Sequence, residues 1–176
     1  MNPFRRILLV FLCILFLGWL SVQLSLYRHL GLAGILLPGL NFGLPFSLLN
    51  FESGRQRVRG VALFSLFATL AIAAAFLLLF VAGPEGAGMK GMAFGLMLGF
   101  CCAAPLTLMI YVAYGLSWPA ALLAVGLGSI LPALAGFEDA ENASIRPEFF
   151  AALWLAVMGG VYTWGLGNGR NEGMME

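Results

Sequence analysis

Residues 31–50 read GLAGILLPGLNFGLPFSLLN, an apolar stretch interrupted by two prolines, four glycines and an asparagine near its middle, Asn41. Twenty residues of α-helix rise about 30 Å, which matches the hydrocarbon core of a bilayer. An ordinary spanning helix needs neither the prolines nor the asparagine. Two interpretations are therefore open: a full crossing by an interrupted helix, or a re-entrant loop that returns to the side from which it entered.

The composition of the whole chain places it in the membrane class. Of its 176 residues, 61% are hydrophobic and only 10% are charged, whereas a soluble domain carries roughly 25% charged residues. The formal net charge of +1 gives no reason to expect nucleic acid as a partner. The cysteines Cys13, Cys101 and Cys102 all lie in apolar runs, so a disulfide framework is not expected.

The apolar runs predict an all-α fold, a polytopic bundle of six spanning helices that forms one integral membrane domain over residues 1–176. The basic start and apolar run at the N-terminus resemble a secretory signal, but the residues that follow form a poor cleavage site, so the run is interpreted as an uncleaved first helix. The predicted spans are residues 7–26, 31–50, 61–82, 91–115, 119–137 and 148–166.

The basic residues of the short loops predict the orientation of these spans. With six crossings and the N-terminus inside, six of the nine Lys and Arg residues lie on the cytoplasmic side, among them Arg55, Arg57 and Arg59. If residues 31–50 formed a re-entrant loop, these three arginines would lie outside. Six crossings with both termini in the cytoplasm is therefore the preferred interpretation.

The prolines make Asn41 the main candidate for a ligand. Proline has no N–H, so a helix that contains it leaves the carbonyl four residues earlier without a donor. Pro38 would free the carbonyl of Gly34. Pro45 would free that of Asn41 itself. A side-chain amide beside free carbonyls near the middle of the membrane is typical of broken-helix binding sites, so these residues form a hypothetical substrate site.

Small residues at every fourth position give the alternative interpretation. Gly39 and Gly43 would let another helix approach closely, in which case the prolines only kink the helix. A longer series in the fourth predicted span indicates a second packing face, for a helix of this chain or of another protein. It consists of Gly91, Gly95, Gly99 and Ala103.

A short internal similarity relates the two halves of the chain. Residues 34–40, GILLPGL, resemble residues 128–134, GSILPAL, and each lies in the middle helix of a three-span half. Inverted-repeat transporters place interrupted helices at such positions around the substrate. Chance similarity between two Leu- and Gly-rich segments is the alternative. Ser129 lies in the second of these segments, and Pro105 in the fourth predicted span would free the carbonyl of Cys101. The hypothetical site therefore also takes in Cys101, Pro105 and Ser129.

Arg55, Arg57 and Arg59 form the main basic cluster and are predicted to lie just inside the membrane surface. A basic residue near anionic lipid contributes about 1 kcal/mol, so the cluster is a candidate contact for lipid headgroups or for a cytoplasmic partner. The alternative is that these arginines only set the topology of the chain.

The sequence gives little support for catalysis. The only histidine, His29, lies in a predicted surface turn, and no intramembrane protease motif such as H-E-x-x-H occurs. No cofactor, metal site or catalytic residue is predicted.

The chain is interpreted as a non-catalytic subunit of a larger, transport-related membrane assembly, in contact with lipids and with other membrane chains or copies of itself. The alternative is a small transporter or channel for a neutral or lipid-like solute around Asn41. A bacterial inner membrane is the expected location.

Overall fold

The computed structural model describes residues 2–82, 89–137 and 147–172. Within these ranges the chain forms seven α-helices and one 3-10 helix, which confirms the predicted all-α fold. The 3-10 helix covers Gly31–Leu36 and lies between the second and third α-helices. The α-helices are α1 Pro3–Gln23, α2 Leu26–Leu30, α3 Leu37–Asn50, α4 Gly54–Ala82, α5 Met89–Tyr114, α6 Trp118–Phe137 and α7 Pro147–Glu172.

Three segments among the described residues are long and apolar enough to cross a membrane. They are Pro3–Gln23, Gly91–Tyr114 and Phe149–Leu166, and Trp118–Leu134 is a shorter apolar helix. Three such helices in one chain indicate a multi-pass membrane protein.

The long helices form a closed ring in chain order. α1 packs on α3, α3 on α4, α4 on α5, α5 on α6 and α6 on α7, and α7 returns to α1. α3 also contacts α7 across the ring. Consecutive helices in this bundle are therefore spatial neighbours, as short connections favour.

Residues 31–50 do not form one continuous α-helix. Gly31, with φ +53°, ends α2, and the 3-10 helix separates it from α3, whose first turn contains Pro38. Proline suits this first turn because an N–H there would have no partner within the helix. The Leu37 N–H donates to the Gly34 carbonyl. The prediction that Pro38 leaves this carbonyl free is therefore wrong, because the tighter 3-10 turn supplies a donor from one residue earlier.

The interior of the ring contains a cluster of aromatic side chains from α3, α4, α5 and α7 and from Phe51, directly after α3. The rings of Phe46 and Phe64 have their centroids 4.5 Å apart, and those of Phe51 and Tyr114 lie 4.9 Å apart. Such pairs add about 0.5–1.5 kcal/mol each to the free energy of packing. We call this the aromatic cluster, and it consists of Phe42, Phe46, Phe51, Phe64, Tyr114 and Tyr162.

Candidate functional site

Asn41 lies on α3 and forms a hydrogen bond with α1. Its side-chain amide donates to Ser21 Oγ at 2.9 Å, and the Ser21 hydroxyl donates in turn to the Leu17 carbonyl at 2.8 Å. Both side chains are buried, Asn41 at 9% exposure and Ser21 at 3%. The amide of the main ligand candidate therefore has a partner within the protein, and the bond connects two helices.

The opposite face of α3 approaches α4 closely. A Cβ placed on Gly39 would meet the Ser65 carbonyl oxygen and the Thr69 hydroxyl, and a Cβ on Gly43 would lie 2.5 Å from Ser65 Oγ. Gly39 and Gly43 are one turn apart on α3, as Ser65 and Thr69 are on α4. We call this contact the α3–α4 joint, and it places two hydroxyl groups against two glycines.

Hydroxyl groups at this joint have no hydrogen-bond partner among the described residues. Ser65 Oγ and Thr69 Oγ1 are enclosed by the protein, and so is Ser47 Oγ further along α3, where it lies against Gly60. A buried hydroxyl without a partner costs about 1–3 kcal/mol. Each of these hydroxyls could therefore accept or donate one further hydrogen bond.

The residues predicted for a substrate site divide over separate helix faces. Pro38 and Pro45 are buried on α3 with Asn41, and Gly34 is buried in the 3-10 helix just before it. Cys101 and Pro105 lie on the exposed face of α5. Ser129 lies on α6, where its hydroxyl donates to the Val125 carbonyl at 2.7 Å. The structure thus brings the residues of the first half together and leaves those of the second half elsewhere.

The small residues of α5 pack against α6 of the same chain. A Cβ on Gly95 would lie 2.7 Å from the carbonyl carbon of Pro132, and one on Gly99 would lie 2.5 Å from the Gly128 carbonyl oxygen. Ala103 continues the row, since its Cβ would lie 2.5 Å from a Cβ placed on Gly128. Gly91, at the start of the row, is half-buried. We call this contact the α5–α6 joint.

Further hydrogen bonds connect side chains to neighbouring helices. Asn50 donates to Thr163 Oγ1 at 3.0 Å, and the Trp154 indole N–H donates to the Gly128 carbonyl at 2.8 Å. The hydroxyls of Thr107 and Tyr162 lie 2.9 Å apart. Sequence reasoning missed these pairs. Polar side chains inside apolar runs need hydrogen-bond partners, so the sequence indicates that such bonds exist. It does not indicate which residues form them.

The three arginines at the start of α4 differ in their surroundings. Arg57 is half-buried, and its Nε donates to the Phe51 carbonyl at 2.7 Å. Arg55 and Arg59 are exposed. The basic cluster predicted from the sequence is therefore divided between one arginine that holds the turn after α3 and two that face outward.

Comparison with known proteins found no match to this chain among family models, curated proteins or solved structures. In the ranges that the structure describes, no group of three His, Cys, Asp or Glu side chains is placed to hold a metal ion. The class is thus defined by the fold itself. The chain is a helical, multi-pass membrane protein whose ring of helices is joined by close glycine contacts and by buried hydrogen bonds.

Proposed function

We propose that this protein is a non-catalytic membrane subunit of a larger, transport-related assembly. The observation that supports this proposal is that many buried polar side chains are already engaged in hydrogen bonds between helices. Those of Ser21, Asn41, Asn50, Thr107, Trp154, Tyr162 and Thr163 make hydrogen bonds between helices. Side chains paired in this way hold a bundle together and need not bind a solute.

The surface that would contact partner chains differs from the one the sequence indicates. α6 of the same chain covers Gly95 and Gly99, so a partner chain would have to use another face. The outward face of α5 is apolar and includes Leu108 at 62% exposure and Val112 at 75%. Exposed apolar side chains suit either lipid or another membrane helix.

Purification of the tagged protein in a mild detergent tests the assembly. The expected result is a complex with a fixed ratio of this chain to one or more other membrane proteins, measured by mass spectrometry of the separated complex. The double variant Leu108→Arg/Val112→Arg tests whether the outward face of α5 contacts the partner chain, and Leu44→Arg on α3 is the comparison. We expect the α5 variant, and not the α3 variant, to elute without the other proteins. A wild-type chain that elutes alone as one monodisperse species would contradict the proposal.

The topology proposed for this subunit is six crossings, with both termini in the cytoplasm of a bacterial cell and the chain in the inner membrane. The lengths support it, since 14 residues of α3 rise about 21 Å and the six residues of the 3-10 helix add about 12 Å. The excess of basic residues on the same side as Arg55, Arg57 and Arg59 supports the orientation.

Labelling of single cysteines in a cysteine-free background tests this topology. We expect Ser53→Cys, in the turn between α3 and α4, to react with a membrane-impermeant reagent only from the cytoplasmic side. His29→Cys, in α2, is the matched position at the other end of residues 31–50 and should react only from outside. Reaction of both positions from one side would show that residues 31–50 re-enter and would overturn the six crossings.

A second candidate is a small transporter for a neutral or lipid-like solute. The observation that favours it is a pair of buried hydroxyls beside the interrupted start of α3, Ser65 Oγ and Thr69 Oγ1, which have no partner within residues 2–82, 89–137 and 147–172. Glycerol flux into proteoliposomes, followed by stopped-flow light scattering, is the test. Asn41→Leu should then abolish flux, whereas Leu44→Ala on the exposed face of α3 should not. Wild-type flux equal to that of empty liposomes would exclude this candidate for solutes of that size.

A further inference from the structure

The three arginines of α4 do not form one basic patch. They lie in the first two turns of the helix, which begins at Gly54. Residues two apart on a helix point about 200° away from each other, whereas residues four apart share a face. Arg57 accordingly turns towards the bundle and binds the Phe51 carbonyl. Arg55 and Arg59 remain as an exposed pair on one face.

The face that carries this pair continues along α4 as an apolar stripe. Its members recur every three or four residues, and the leucines among them are 52%, 54% and 63% exposed. No other helix covers these side chains in the part of the chain that the structure describes. The stripe consists of Ala62, Leu66, Leu70, Ala73 and Leu77.

The length of the stripe fits the length of a lipid chain. The rise from Arg59 to Leu70 is about 16 Å, close to the ~15 Å that one leaflet contributes to the hydrocarbon core. An acyl chain that packs against Leu66 and Leu70 would place its headgroup beside the guanidinium groups of the two exposed arginines. The one nearby carboxylate in the preceding turn, Glu52, is exposed and offsets only part of the charge of the arginines.

We propose that this face of α4 binds an anionic phospholipid. Its phosphate lies between Arg55 and Arg59, because planar guanidinium groups donate paired hydrogen bonds to phosphate oxygens. One acyl chain packs along the stripe. The charge of the pair selects an anionic headgroup over a zwitterionic one. This proposal is independent of whether the chain is a subunit or a transporter, and of which side of the membrane α4 starts on.

Spin-labelled lipids measure the selectivity directly. The full-length protein is reconstituted into phosphatidylcholine vesicles with a trace of spin-labelled phosphatidylglycerol or spin-labelled phosphatidylcholine, and the motionally restricted fraction of each is compared. We expect the wild type to prefer phosphatidylglycerol. Loss of each arginine, by Arg55→Gln or by Arg59→Gln, should lower this preference about fivefold, and the double variant should lose both contributions. Arg28→Gln, an exposed arginine in α2, is the control for net charge and should keep the preference.

Two further conditions separate the possible sources of the signal. The wild-type preference should fall between about 0.05 M and about 0.5 M salt, because exposed charges are screened, and this holds even if the double variant does not fold. Inorganic phosphate should compete no better than chloride of equal ionic strength. Equal restriction of both lipids by the wild type would overturn the proposal and leave an acidic protein partner for the pair. Equal loss in Arg28→Gln, or displacement by phosphate alone, would also overturn it.

Discussion

The α3–α4 joint and the α5–α6 joint both depend on glycines four residues apart, but different atoms face these glycines in the two joints. Each places two glycines one turn apart against a neighbouring helix. At the α5–α6 joint, the atoms that face Gly95 and Gly99 most closely belong to the backbone of α6. At the α3–α4 joint, Gly39 and Gly43 face the backbone of α4 and also the hydroxyls of Ser65 and Thr69.

This difference separates contacts that cannot adjust from contacts that can. Backbone atoms of a helix move only if the whole helix moves, so an added methyl group at the α5–α6 joint forces the two helices apart. A serine hydroxyl can rotate or be removed by mutation. The backbone contacts of Gly95, Gly99 and Gly39 should therefore be rigid. Gly43, whose nearest atom is the Ser65 hydroxyl oxygen, is the position where the bundle should tolerate change.

Gly95→Ala is expected to reduce stability more than Gly43→Ala. The new Cβ would meet the Pro132 carbonyl group and the Ala133 Cα, all backbone, so we expect a loss of about 1–3 kcal/mol in the free energy of unfolding. Titration with a denaturing detergent in mixed micelles measures it.

Gly126→Ala on α6 is the matched control, because a Cβ there has no neighbour within 4 Å. It should leave stability unchanged or raise it by up to about 1 kcal/mol through higher helix propensity. Similar losses at both glycines would show that the α5–α6 joint is not closely packed.

Gly43→Ala is expected to cost less, about 1–2 kcal/mol, because the nearest atom is the Ser65 hydroxyl oxygen. Combining it with Ser65→Ala removes that oxygen, so the double variant should recover about 0.5–1 kcal/mol relative to the sum of the single variants. The same unfolding titration gives this coupling energy. At the α5–α6 joint no side-chain truncation should rescue Gly95→Ala. Additive losses for Gly43→Ala and Ser65→Ala would remove the distinction between Gly43 and the glycines that face backbone.

The spacing of the glycines was visible in the sequence, but the partners were not. Composition predicts a helical membrane protein, and repeats of small residues predict close approach. They do not say that α6 faces Gly99 or that α4 faces Gly39, because many pairings bury glycines equally well. Once the ring of helices is known, each contact follows from which faces meet.

Local backbone geometry also escaped prediction at Pro38. The sequence rule assumes a regular α-helix around the proline, in which the carbonyl four residues earlier loses its donor. The chain instead enters α3 through a 3-10 helix, and Leu37 supplies the donor to Gly34. In the part of the chain that the structure describes, the buried side-chain atoms without a partner include two hydroxyls of α4, Ser65 Oγ and Thr69 Oγ1. Serine and threonine in an apolar run give no sign of this, since either can bond to its own helix.

The α1–α3 contact should show the smallest effect, because a hydrogen bond supports it and not a backbone clash. Asn41 and Ser21 are one polar pair between these helices, at 2.9 Å. Hydrogen bonds between membrane helices contribute about 0.6 kcal/mol on average and at most about 1.7, because the unfolded chain in the membrane also finds partners. We therefore expect Asn41→Leu and Ser21→Ala to show a coupling energy in this range in a double-mutant cycle by the same titration. A coupling near zero would mean that the Asn41 amide is not held by Ser21, and would return Asn41 to the set of groups open to a ligand.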